Sequence, residues 1–191
     1  MDFIGFGKSA TLKEPFSVAD YGKWTKTAMD LLHVQHPHVI AHSFGCRVAV
    51  KMASESEDVF DKILLTGPAG IILSRGIKYK LNVKAYRFAK RFAPTWAEKR
   101  FGSTEYRSLS PIMKESYKKI VNEDLRFCAK QVRNEVLIVE GLEDTVTTMK
   151  EAEIYLESFE KGRLKTMQGG HFAFAEHPFR FNLIAEEFFY E

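Results

Sequence analysis

The sequence contains few cysteines, no long apolar run and no strong excess of one charge. Its two cysteines, Cys46 and Cys128, lie far apart and do not make the disulfide framework of a small secreted domain. No segment approaches the roughly 20 consecutive apolar residues of a membrane-spanning helix. Residues 1–16 lack the basic and then apolar pattern of a secretory signal. We therefore expect a globular protein in the reducing cytoplasm.

The charge balance argues against a nucleic-acid-binding protein. The formal net charge is +3 over 191 residues, and the sequence pI is about 8.7. This excess is too small to indicate a nucleic-acid partner without a clustered basic surface. With 45% hydrophobic residues, the chain has the composition of an ordinary globular domain.

Short apolar runs alternate with amphipathic segments along most of the chain, a pattern typical of a parallel sheet connected by helices. Neither hairpin signals nor internal repeats interrupt the alternation. The predicted strands are 38–41, 62–66, 135–139 and 163–167, and the predicted helices are 18–34, 44–53, 150–159 and 178–189. The sequence therefore predicts the α/β class.

One segment departs from this alternation. Between residues 71 and 125 we find only helix-like patterns, including apolar residues at helical spacing from Ile77 to Phe92. The predicted organisation is thus a core of residues 1–70 and 126–191, with a helical insertion at 71–125. Residues 75–101 carry nine Lys and Arg residues and a single acid, Glu98. A basic amphipathic helix can bind an anionic membrane, but we interpret this one as a lid with a solvated basic face.

The segment VIAHSFGCRVAV, residues 39–50, places a serine where a predicted strand turns into a predicted helix. This context is typical of a nucleophile elbow, in which a sharp turn exposes the Ser43 hydroxyl at the carboxyl end of the sheet. The N–H of Phe44, the first of the helix, would face a developing oxyanion. A tight turn without chemistry fits the same letters, so the motif alone leaves both interpretations open.

A nucleophilic serine needs a base, and His171 is the best-placed of the six histidines. It follows the last predicted strand in a Gly-Gly-His turn, at the same sheet edge as Ser43. His42 is interpreted as structural, because neighbouring side chains of a strand point in opposite directions. No cysteine or carboxylate cluster accompanies the other histidines, so we predict no metal site.

The base in turn needs a carboxylate to orient it. Three acids, Glu140, Glu143 and Asp144, follow the predicted strand 135–139. Asp144 lies where the loop leaves the sheet edge and is the preferred candidate, although Glu143 could substitute for it. All three proposed residues would then follow strand ends on one edge, where open α/β sheets bind ligands.

Five segments together resemble the α/β-hydrolase family: DFIGFGKS, AHSFGCRVA, LLTGPAGI, VLIVEGLEDT and GGHFAFAEHPFRF. The resemblance implies a mostly parallel sheet with flanking helices and a helical lid insertion. It also implies that Ser43 is the nucleophile, His171 the base, Asp144 its orienting acid and Phe44 one oxyanion donor. No metal or organic cofactor is implied. We expect an apolar substrate pocket to include Phe88, Phe92, Trp96 and Phe172.

The chain departs from the family pattern at three points. Ala41 and Cys46 stand where the family has glycines, and we expect the Cys46 thiol to serve packing. The sequence begins where the fourth strand of the family ends, so the preceding strands and a second oxyanion donor are missing from it. We therefore expect strand 38–41 to form an exposed apolar edge that could associate copies of the chain.

The resulting functional prediction is a serine hydrolase acting on a small apolar ester or related acyl compound, without nucleic-acid or membrane partners. The same triad could serve C–C bond hydrolysis or acyl transfer. The alternative is a truncated, inactive or partner-dependent hydrolase-like module for binding or assembly.

Overall fold

The computed structural model describes residues 2–73, 106 and 108–191. The chain divides into two compact units, of which one comprises Met1–Phe16 and Leu73–Lys119, and the other Ser17–Ile72 and Ile120–Glu191. The divisions near residues 72 and 120 lie close to the predicted limits of the insertion. Residues 1–16, predicted to be part of the core, fall in the first unit, where the backbone N–H of Phe16 donates to the Ser116 hydroxyl at 3.0 Å.

The second unit is built around four short strands. They are β1 Val39–His42, β2 Ile63–Thr66, β3 Val136–Gly141 and β4 Gly162–Met167. All three pairings are parallel, in the order β1-β2-β3-β4, with Ala41 opposite Leu65 and Leu65 opposite Ile138. The predicted parallel α/β sheet is confirmed.

Helices connect successive strands in the order that the sequence predicts. The helices of the described residues are α1 Val18–Leu31, α2 Phe44–Glu55, α3 Pro111–Val121, α4 Arg126–Ala129, α5 Met149–Ser158, α6 Ala173–Glu176 and α7 Pro178–Tyr190, with a 3₁₀ turn at Glu57–Val59. Helix α1 begins with the predicted capping box, in which the Ser17 hydroxyl and the Asp20 carboxylate each satisfy a backbone N–H of the first turn. The helix predicted at 77–92 lies outside the described residues.

The two central strands are buried along their whole length, because helices cover both faces of the sheet. On one face, Leu64, Leu137 and Val139 pack with Phe181 and Phe188 of α7. Side chains alternate along a strand, so Ile138, between Leu137 and Val139, faces the opposite side of the sheet. Burial of these strands fixes their ends, and with them the loops that follow.

Strand β1 forms one edge of this sheet within the described residues. Its Ile40 side chain is 52% exposed, in contrast to the fully buried apolar side chains of β2. Within the described ranges, the β1 edge is therefore exposed, and association of copies through it stays a prediction. None of the helices in the described ranges is long and apolar enough to cross a membrane.

Candidate active site

Ser43 occupies a strained turn between β1 and α2. Its backbone has φ 48° and ψ −110°, a left-handed conformation that residues with a side chain rarely adopt. Such strain costs about 1–3 kcal/mol and persists only where the surrounding structure enforces it. The backbone N–H of Ser43 donates to the Thr66 carbonyl at 3.1 Å, which ties the turn to β2. The elbow predicted from sequence is thus present as geometry.

The two substituted glycine positions of the elbow are accommodated by packing. A Cβ on Gly45 would lie 3.8 Å from the Ala41 methyl, an ordinary van der Waals distance, so the extra methyl does not crowd the approach of α2. The Cys46 thiol is fully buried and lies 3.2 Å from the Ala41 carbonyl. Burial raises the pKa of this thiol far above its usual range, which keeps it in the unreactive thiol form.

Asp144 lies in the loop after β3 and has nearly all of its hydrogen-bonding capacity satisfied. Its Oδ1 accepts from the N–H groups of Val146 at 2.7 Å and Thr147 at 3.0 Å. Its Oδ2 accepts from the Thr147 hydroxyl at 2.9 Å. Burial works to raise the pKa of Asp144, but the hydrogen bonds from His171, Val146 and Thr147 outweigh it and lower this pKa. The carboxylate is therefore ionised at neutral pH.

His171 connects Asp144 with Ser43. Its Nδ1 lies 2.7 Å from Asp144 Oδ2, and its Nε2 lies 3.0 Å from Ser43 Oγ. Because an ionised carboxylate only accepts hydrogen bonds, Nδ1 carries the proton and Nε2 is left to accept from the serine hydroxyl. The structure therefore brings all three predicted residues into one hydrogen-bonded chain. Glu143, the alternative acid, has an exposed side chain instead.

Two residues that no sequence motif indicated, Thr147 and Gly67, also lie against the hydrogen-bonded series of Ser43, His171 and Asp144. The Thr147 hydroxyl oxygen lies 3.2 Å from His171 Nδ1, besides donating to Asp144. Gly67, after β2, has φ 51°, and a Cβ there would lie 3.0 Å from His171 Nδ1 and 3.3 Å from Asp144 Oδ2. Gly67 was visible in the sequence only as part of a turn, and Thr147 only as a polar residue three positions after Asp144.

His42 lies next to His171, the predicted base. Its ring centroid is 4.6 Å from that of His171 and 4.9 Å from that of Phe174. Its Nδ1 donates to the Thr66 carbonyl at 3.1 Å. Burial, followed by the charge of His171, lowers the pKa of His42, so the ring is neutral at neutral pH. That His42 has a structural role remains a prediction. The structure shows in addition that its ring contacts that of His171.

Three large apolar side chains are exposed in the loops that carry His171 and Asp144. Phe172 is 56% exposed, and its ring meets that of His171 edge to face at 5.3 Å between centroids. Leu142 and Val146, on either side of Asp144 in the acid loop, are 56% and 66% exposed. The other predicted pocket residues, Phe88, Phe92 and Trp96, lie outside the described residues. Residues 2–73, 106 and 108–191 contain no group of three or more His, Cys, Asp or Glu able to hold a metal ion.

Phe44 begins α2 directly after Ser43, at the position expected for the first N–H of the helix. Its backbone N–H is at the amino end of the helix, where the aligned peptide dipoles favour negative charge. Its ring packs against that of Tyr21 in α1, with centroids 5.0 Å apart and an interplanar angle of 83°. This contact fixes the first turn of α2 against its neighbouring helix.

Solved structures with the same fold include several hydrolases. An esterase from Exiguobacterium antarcticum matches with a TM-score of 0.76 at 20% identity, covering 100% of this chain and 80% of that one. The enol-lactonase from Burkholderia xenovorans matches at 0.74 and 20% identity, covering 100% and 79%. A meta-cleavage product hydrolase from Pseudomonas fluorescens matches at 0.71 and 20% identity, covering 98% and 77%. At this identity, these matches establish the fold.

Sequence comparisons cover less of the chain. An uncharacterized protein of Mycobacterium tuberculosis is 25% identical over 80 residues, which is 42% of this chain and 24% of that protein. A Mycobacterium bovis protein matches to the same extent. The matched segment thus spans about a quarter of these curated relatives. A family model described as the alpha/beta hydrolase fold matches residues 1–105. Because this match covers more than half of the 191 residues, the chain belongs to the α/β-hydrolase fold family.

Proposed function

We propose that this chain is a serine hydrolase that cleaves a carboxylic ester or a related acyl compound. The observation that carries the proposal is the continuous hydrogen-bonded chain from Ser43 Oγ through His171 to Asp144, with separations of 3.0 Å and 2.7 Å. Ser43 is the nucleophile, His171 the general base and acid, and Asp144 the group that orients the imidazole.

The reaction proceeds through an acyl-enzyme. Ser43 Oγ attacks the carbonyl carbon while His171 Nε2 takes the hydroxyl proton, and the carbonyl electron pair moves to oxygen. Collapse of this intermediate breaks the bond to the alcohol oxygen, which leaves with the proton from Nε2. Water then attacks the acyl carbon with His171 as base, and the acid departs as Ser43 recovers its proton. Asp144 stabilises the imidazolium in both halves.

The backbone N–H of Phe44 is the proposed donor to the oxyanion. Its place at the amino end of α2 supports this role, since the helix dipole is fixed before the charge develops. One such donor is worth roughly 10²–10³ in rate.

Exposed apolar side chains in the two loops support a small apolar acyl substrate. Phe172 is exposed where its ring contacts that of His171, and Leu142 and Val146 are exposed in the loop that carries Asp144. Phe88, Phe92 and Trp96 remain predicted pocket residues. The same triad can cleave a C–C bond or transfer an acyl group to an alcohol. We place the ester first because its leaving group is an alcohol oxygen that His171 Nε2 can protonate directly, whereas C–C cleavage must expel a carbanion.

Labelling with a fluorophosphonate probe tests the nucleophile in the full chain. We expect the wild-type protein to react covalently at Ser43 and to hydrolyse p-nitrophenyl esters, with longer acyl chains preferred up to a limit set by the pocket. Ser43→Ala should abolish both. Ser56→Ala is the matched control, because Ser56 is exposed and its side chain makes no capping bond. Wild-type labelling no stronger than that of Ser43→Ala would support the inactive binding or assembly module instead.

A further inference from the structure

Glu140 is a buried acid that the proposed mechanism does not use. It lies near the end of β3, its side chain is 0% exposed, and neither carboxyl oxygen has a hydrogen-bond partner among the described residues. Alternation along β3 turns it away from the face on which Leu137 and Val139 pack against α7. A buried carboxylate without a donor is costly, so the group is held as a neutral acid.

Among the described residues, the charges that act on Glu140 are those of two acids, Asp144 in the acid loop and Glu151 in the first turn of α5. The neutral Cys46 thiol of α2 also lies within the range of its charge. The buried cation of α2, Arg47, is engaged elsewhere, donating to the carbonyls of Ile120 at 3.0 Å and Glu123 at 2.9 Å. Burial, followed by the charge of Asp144, raises the pKa of Glu140 to about 8.

The end of β3 is fixed to the loop that carries the base. A Cβ on Gly141 would lie 2.4 Å from the Gly170 carbonyl oxygen, so the two segments are in direct backbone contact. The backbone N–H of Leu142 donates to the Met167 carbonyl at 2.9 Å, and that of Glu143 donates to the Gly169 carbonyl at 3.0 Å. A displacement at Glu140 would therefore be passed to both the acid loop and the histidine loop.

We propose that Glu140 is a positioning residue of the triad: as a neutral acid it leaves Asp144 the only negative charge behind His171, and its ionisation displaces Asp144. This inference rests on the proposed function. Two carboxylates in one buried cluster repel each other, and in the described part of the chain no donor group contacts either oxygen of Glu140 to offset the second charge. Relief requires movement of the acid loop or entry of water, and either lengthens the 2.7 Å contact between Asp144 and His171. Hydrolysis then falls in alkaline solution.

The test measures the rate of fluorophosphonate labelling of the full chain between about pH 6 and pH 10. Wild type should label more slowly above pH 8, by about tenfold per pH unit, because the productive form carries a protonated Glu140. Glu140→Gln keeps the shape of the side chain but cannot ionise. Its labelling rate should match that of wild type within roughly threefold near neutral pH and should not fall at alkaline pH. Glu143→Gln removes an exposed carboxyl beside Asp144 and should retain the wild-type profile.

The outcomes separate the two proposals. If wild type labels no better than Ser43→Ala at any pH, the proposed function fails and this inference with it. If wild type and Glu140→Gln lose labelling at the same alkaline pH, the inference alone is wrong. It is also wrong if circular dichroism shows wild type unfolding above pH 8 while Glu140→Gln stays folded, because Glu140 would then act only on stability. Glu140→Asp keeps a titratable group, so it should retain an alkaline fall and serves if the glutamine variant does not fold.

Discussion

At the scale of single residues, the triad depends on hydrogen bonds that hold Asp144 ionised. Each of its carboxylate oxygens accepts from groups of its own loop, and Oδ2 is shared between the Thr147 hydroxyl and His171 Nδ1. These bonds outweigh the burial that would otherwise favour the protonated acid. A protonated Asp144 could not stabilise the imidazolium, so the local donors of the acid loop help to set the pH range of the proposed reaction.

Replacing Thr147 by valine tests this arrangement, because valine keeps the shape and removes the hydroxyl. The pKa of Asp144 should rise when a donor to its charged form is lost, and the acid limb of the labelling profile should move to higher pH. A hydrogen bond to a charged group is worth about 1.5–3 kcal/mol, so labelling near neutrality should fall about tenfold or more. Thr147→Ser retains the hydroxyl and should label like wild type. Equal profiles for the serine and valine variants would contradict the role.

At the scale of elements, the loops after β2, β3 and β4 meet at one sheet edge, and Gly67 is where the loop after β2 approaches His171 and Asp144. Gly67→Ala combines a left-handed backbone, φ 51°, with a Cβ 3.0 Å from His171 Nδ1. We expect a loss of stability of about 1–2 kcal/mol from the backbone alone, seen as a lower melting temperature. Labelling of the protein that remains folded should also fall, because the imidazole must shift.

Gly170→Ala is the matched control for this change. Its Cβ would find its nearest neighbour, a Glu176 carboxylate oxygen, at 3.6 Å, and it lies in the same group of loops. It should cost far less in labelling than Gly67→Ala. If both alanine variants slow labelling equally, crowding of His171 is not the reason that glycine is needed after β2.

The sequence predicted the elements of the sheet more fully than their contacts. The four strands followed from apolar runs bounded by turn residues, and Ser43, Asp144 and His171 followed from polar residues at the strand ends. The short helices α4 and α6, with four residues each, were missed because so few residues show no helical period. Glu140 was placed after its strand, whereas β3 continues to Gly141. Its burial depends on packing by segments distant in the sequence, which no local pattern reveals.

At the scale of the whole molecule, the described part of the sheet has no further strand on the β1 edge. Strand β1 pairs only with β2 among the described residues, and Ile40 exposes 52% of its side chain there. Unpaired backbone groups along such an edge are a template for another strand. We expect the purified chain to self-associate as its concentration rises, in sedimentation velocity or light scattering.

Ile40→Lys should shift this equilibrium toward the monomer, because a lysine on an edge strand disfavours pairing with a second copy. Leu31→Lys also replaces an exposed apolar residue by lysine, but on α1 and outside the sheet, where Leu31 is 76% exposed. This control variant should associate like wild type. A wild-type chain that stays monomeric at every concentration would contradict the prediction. Equal effects of the two lysine variants would trace association to general surface hydrophobicity instead of to β1. Fluorophosphonate labelling of the monomeric Ile40→Lys variant then shows whether the triad needs a second copy: undiminished labelling means that one chain is sufficient.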